Sequence, residues 1–119
     1  MQSEEDVTQA LLKTANLLYG KKKYSESLKV VTSADLSKVP GEKQPYFLEL
    51  EARNLMALLQ YEKAFKLIDQ ALKYMPNLRL FIMIKIKALM ILNRTSEAIS
   101  TMKNLREKLE EKTEDQENA

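Results

Sequence analysis

The side chains that carry out most enzymatic chemistry are missing from this chain. It has no histidine and no cysteine. That removes imidazole bases, thiol nucleophiles, disulfides and most zinc sites. Its two glycines, Gly20 and Gly41, cannot build a phosphate-cradling loop. Serines such as Ser33 lack a nucleophile elbow and a partner base. Carboxylates are plentiful but fall in solvated runs, and paired acids for glycoside hydrolysis would need a deep cleft. The residues point to a non-enzyme with no cofactor and no metal. Lys21-Lys22-Lys23 reads as a solvated turn, because no aromatic stacking platform accompanies it as a nucleic-acid contact would require. Asn93-Arg94-Thr95 matches a glycosylation acceptor, a pattern common by chance.

What remains is suited to binding rather than to bond-making. The 119 residues are 45% hydrophobic and 30% charged, the balance of one globular domain. Two glycines and three prolines are too few for the turns of an all-β sandwich or barrel. The net charge of +2 conceals a split, with residues 107–119 at −4 and residues 1–106 at +6. A modestly basic body can meet acidic partners, but this excess is not a nucleic-acid signature. Residues 1–6 are acidic where a signal peptide would be basic. The apolar run Leu78 to Leu92 holds Arg79, Lys85 and Lys87 and falls short of the roughly 20 residues of a membrane span. A cytoplasmic location is expected, with the nucleus open, and no membrane insertion.

Apolar spacing predicts helices along the whole chain. Leu48, Ala52, Leu55 and Leu59 lie on one helical face; Ala64, Phe65, Ile68, Ala71, Leu72 and Met75 form a second, running to Pro76. The short break at Gln60–Tyr61 makes the pair an αα-hairpin. Upstream, Leu11, Ala15 and Leu18 define a helix ending near Gly20, followed by another with Tyr24, Leu28, Val31 and Ala34. Residues 37–45 read as a loop. Downstream, a helix from about Leu78 to Leu92 precedes one capped by Thr95, with Ala98, Ile99, Met102, Leu105 and Leu109 on its buried face. Residues 113–119 are polar and expected to form a frayed, flexible acidic tail.

The hairpins are related to one another. Tyr61-Glu62-Lys63-Ala64 aligns with Tyr24-Ser25-Glu26-Ser27 at an offset of 37, and Ala98 with Ala64 at an offset of 34. The longer offset reflects three extra residues around Pro40 to Pro45. A helix–turn–helix period of 34 residues marks tetratricopeptide repeats. The chain resembles that family over most of its length. Ala15 and Ala52 stand at the family's small first-helix position, Tyr24 and Tyr61 at the aromatic opening the second helix, Ala64, Ala98 and Ser27 at the small residue one turn on, Ala34 and Ala71 at the late small position, and Pro76 at the closing proline. Ile86 replaces the small first-helix residue of the third copy, Leu105 its late alanine, and the usual tryptophan is absent. The resemblance implies an all-α fold of three stacked TPR-like hairpins in a short right-handed α-solenoid. It would be one domain over residues 1–112, with repeats at about 8–41, 45–78 and 79–112.

The resemblance further implies that the first helices line a concave groove. The corresponding stripe is Gln9, Leu12, Asn16 and Tyr19; Tyr46, Glu49, Arg53 and Met56; Leu80, Met83, Lys87 and Met90. The three-four-three spacing keeps each quartet on one helix face. Methionines suit adaptable apolar contacts, and the cations suit a carboxylate. The carboxylate clamp of one family subclass is not expected, since Leu12 and Leu50 stand where it needs polar residues. The function expected is a protein–protein interaction module, an adaptor, assembly chaperone or complex subunit, holding a peptide or helix of another protein. The alternative is oligomerisation or docking through the third repeat, whose first helix is apolar nearly all round. A nucleic-acid role ranks last.

Overall fold

The computed structural model describes residues 4–76 and 78–117. Six α-helices run α1 (Glu4–Gly20), α2 (Tyr24–Thr32), α3 (Gln44–Ala57), α4 (Tyr61–Tyr74), α5 (Arg79–Ile91) and α6 (Thr95–Glu117). No strand occurs among the described residues. Each helix packs on the next in the chain, and α3 also touches both α1 and α5. The architecture is all-α, with helices packed in adjacent pairs.

Three short turns join α1 to α2, α3 to α4 and α5 to α6, and all three share one backbone geometry. Lys22, Leu59 and Asn93 take left-handed φ values of 63°, 64° and 60°. The amide of the following residue reaches back five positions: Lys23 N–H donates to Leu18 O at 2.9 Å, Gln60 to Leu55 at 2.8 Å, and Arg94 to Leu89 at 2.8 Å. The amides of Lys22, Leu59 and Asn93 donate to Tyr19, Met56 and Met90. This is the paired bonding that satisfies orphan carbonyls at a helix end. The turn positions are offset by 37 and then 34 residues, the same offsets as the sequence alignment.

The details depart from the sequence expectations at several points. Gly20 is the last residue of α1 rather than the residue past it; the left-handed position belongs to Lys22. Leu59 sits in a turn at 71% exposure instead of continuing the buried face of α3. Pro45 lies in the first turn of α3 rather than in the loop, where its missing N–H has no helical partner to lose. Thr95 begins α6 instead of capping it; Arg94 just before it makes a two-pronged ion pair with Glu97 at 2.9 and 2.8 Å. Ala34 lies beyond the end of α2. The backbone of α6 is helical through Glu117, past residue 113 where the tail was expected to begin; residues 118 and 119 of that tail lie outside the described residues.

The connection from α2 to α3 absorbs its extra residues as structure. Asp35 accepts bonds from the Ser37 amide and hydroxyl, nucleating a single 3-10 turn (Leu36–Lys38). Those bonds hold the Asp35 carboxyl below its ordinary value. Gln44 Nε2 then donates to the Leu36 and Val39 carbonyls at 3.0 Å, fastening the loop to the start of α3. Val39 is buried in the core.

Small residues occupy fully enclosed positions on the helices. Ala15, Ser27, Ala52, Ala64, Ala88 and Ala98 have no exposed surface. Ala15 shares a packed cluster with Phe47, and Ala52 shares one with Phe81. In each case an alanine of one first helix and a phenylalanine of the next belong to the same cluster. Ser27 adds a polar tie: its hydroxyl donates to Ala15 O at 2.7 Å and accepts from Asn54 Nδ2 at 2.8 Å, joining α1, α2 and α3. At the other end, Phe65 of α4 lies under the Arg94 guanidinium at 4.5 Å and Lys85 of α5 pairs with Asp69 of α4 at 2.9 Å, an arrangement worth about 0.5–2 kcal/mol for the cation over the ring.

Two measurements check this account. Leu59→Gly relieves a left-handed leucine that buries little, and should raise the free energy of unfolding by about 1 kcal/mol; a lower urea midpoint would contradict the turn geometry. Ser27→Ala strands the buried Asn54 amide and should cost about 1–3 kcal/mol, with Ser27→Ala/Asn54→Leu recovering much of it in a double-mutant cycle.

Candidate binding groove

A cavity of about 640 Å³ opens along α5. Its walls are Tyr19 of α1; Arg53, Met56 and Ala57 of α3; Tyr61 of α4; and Leu80, Met83, Ile84, Ile86, Lys87 and Ile91 of α5. Six stripe residues meet there: Tyr19, Arg53, Met56, Leu80, Met83 and Lys87. They converge because α3 packs directly against α5, and because the C-terminal turn of α1 brings Tyr19 to the same opening.

The other stripe residues lie elsewhere. Leu12 packs half-buried against the first core cluster. Asn16 is exposed, and its Nδ2 donates to the Leu12 carbonyl of its own helix at 3.0 Å. Gln9 is exposed on α1. Tyr46 is 58% exposed and Met90 49% exposed, both outside the cavity wall. Glu49 is not part of the wall but pairs with Arg53 at 2.9 Å, one turn along α3. The first helices thus do not contribute equally.

Five wall residues were not on the stripe: Ala57, Tyr61, Ile84, Ile86 and Ile91. Tyr61 stands in the sequence as the aromatic opening a second helix, a position that periodicity on the first helices does not bring into the stripe. Ile86 was legible as the departure from a small residue. Its equivalents Ala15 and Ala52 share packed clusters with a phenylalanine of the following first helix; Ile86 is partly buried, and its larger side chain forms wall instead. The turn after α5 keeps the 34-residue offset, so Ile86 marks no shift of register.

The wall is apolar with two cations. Arg53 is about half exposed and held by Glu49, a surface pair worth about 0–1 kcal/mol. Lys87 is exposed with no ion-pair partner among the described residues. Tyr19 stands edge-on to Tyr24 with ring centroids 5.5 Å apart, which fixes one end of the opening. Four large apolar side chains of α5 remain exposed: Leu80, Met83, Met90 and Ile91. The opposite face of α5 buries Phe81, Ile82, Ala88 and Leu89. On α6, Ala98 is buried, but Ile99, Met102 and Leu109 are 56%, 42% and 42% exposed, against the expectation of a buried face. The reason is that α5 alone gives α6 substantial cover.

Among the described residues no three acidic side chains are grouped to hold a metal ion. No helix among them is long and apolar enough to cross a membrane. Comparison with protein-family models, with curated proteins and with solved structures finds no match to this chain.

Outside the groove, burial alone pushes the Glu51 carboxyl above its ordinary value near 4.5. The folded state therefore binds that proton more tightly than the unfolded chain. This contribution favours folding at low pH and is lost as pH rises through the raised folded value. Glu51→Gln should remove that slope, so the stability gap between variant and wild type widens in the variant's favour from about pH 4 to pH 7. Denaturant midpoints across that range check it, and a constant gap would contradict it.

Proposed function

We propose that the chain is a non-enzymatic protein–protein interaction module of TPR-like architecture, three stacked hairpins that hold a peptide or helix of another protein in the groove along α5. One observation carries the reading: an apolar wall with two cations, assembled from four helices and left open to solvent. Supporting it are the three equivalent turns and the clusters that join an alanine of one first helix with a phenylalanine of the next, which suit a curved stack. A surface built on packed helices is preorganised, so little ordering entropy is lost on the module's side when a partner binds. An adaptor, assembly chaperone or complex subunit would use such a surface, in the cytoplasm or nucleus.

A second reading has its own observation. The outer face of α6 exposes Ile99, Met102 and Leu109, and together with α5 it offers an apolar end for self-association or for docking to further repeats. The two readings use different surfaces, which substitutions separate. Met83→Glu places a charge in the groove, and Met102→Glu places one on the outer face of α6; both positions are exposed, so both variants should keep wild-type helicity by circular dichroism. In affinity capture from source-cell lysate, the groove reading expects a partner retained by Met102→Glu and lost with Met83→Glu. Loss with Met102→Glu alone, or a concentration-dependent dimer that Met102→Glu dissociates, would favour the second reading.

A further inference from the structure

We propose that the groove selects a partner segment in which an aspartate or glutamate is flanked by apolar side chains, with Lys87 and Arg53 reading the acid. The inference rests on the groove reading above and adds the chemistry of its occupant. The wall of the cavity contains two cations and no carboxylate. Lys87 has no ion-pair partner among the described residues. Arg53 gives one terminal nitrogen to Glu49 at 2.9 Å; a guanidinium carries five N–H donors in a planar fork, so it keeps capacity for a second acceptor.

Each cation sits beside apolar wall. Met83 lies one turn before Lys87 on α5, and Met56 lies nearly one turn after Arg53 on α3. A wholly apolar segment seated there would strip water from Lys87 and give nothing back. A basic segment would add like charge against both side chains. An acid alone would find two solvated cations and gain little. The combination of a carboxylate with flanking apolar side chains covers Met56, Met83 and Leu80, excludes water, and strengthens the ion pairs it covers.

The test is selection of short peptides from a random displayed library on the purified full chain, repeated on Lys87→Glu and Met83→Glu. The pool taken on wild type should be enriched in Asp or Glu beside Leu, Ile, Phe or Met. Its peptides should bind Lys87→Glu roughly tenfold more weakly or worse, and Lys87→Glu should itself select basic peptides. A wild-type pool without acid preference, still lost with Met83→Glu, overturns this inference and leaves the groove reading standing. A pool that binds Met83→Glu as well as wild type, or a selection that enriches nothing, overturns both.

Discussion

Close approach between helices is the constraint on which the rest of this structure depends. Side chains at Ala15, Ser27, Ala52, Ala64, Ala88 and Ala98 are fully enclosed. A larger side chain at Ala15 or Ala52 would crowd the cluster it shares with Phe47 or Phe81 and push the helices apart. Interiors are packed closely enough that one added methylene is felt. Ser27 shows how narrow the tolerance is. A hydroxyl is accepted where the other hairpins have alanine, because it finds an acceptor in Ala15 O and a donor in Asn54 Nδ2. Asn54 is fully buried, and its Oδ1 has no partner among the described residues, so that polar tie is only partly satisfied and is sensitive to either partner's removal.

The groove follows from this packing. The α3–α5 contact sets Arg53, Met56 and Ala57 beside Leu80, Met83 and Lys87. The left-handed turn at Leu59 reverses the chain and starts α4 with Tyr61 at the edge of the same opening. α5 has to serve two masters, which explains its unusual composition. It packs Phe81, Ile82, Ala88 and Leu89 into the body and presents Leu80, Met83 and Ile91 outward. A helix apolar on both sides is stable in water only where its outer side is small or covered, and the outer side here is the groove.

Much of the fold was legible because helix formation and pairing are local. The 34- and 37-residue offsets follow from repeated short motifs, and the turns at Lys22, Leu59 and Asn93 recur at the same offsets. Helix ends were less legible. Gly20 suggested a left-handed cap, yet the backbone carries the chain two residues further and places Lys22 there. Pro45 suggested a loop, although proline is equally suited to a first helical turn. About half of the stripe reached the groove. Periodicity places residues on a helix face but carries no information on which stretch of that face a neighbouring helix covers, so Leu12 went to the core and Tyr46 to open solvent. The exposure of Ile99 and Met102 was hidden for the same reason: an apolar stripe states that a face wants cover, and the packing decides whether it has any.

The six methionines offer the most direct measurement of the central claim, that the functional surface is the groove along α5. Methyl spectra of methionine-labelled protein, recorded while titrating a partner segment, report on both surfaces at once. Met56 and Met83 line the groove, and Met102 sits on the outer face of α6. The Met56 and Met83 methyl signals should move with a common saturation curve while Met102 stays in place. Movement of Met102 with Met56 and Met83 unchanged would contradict it and assign the function to the outer face of α6.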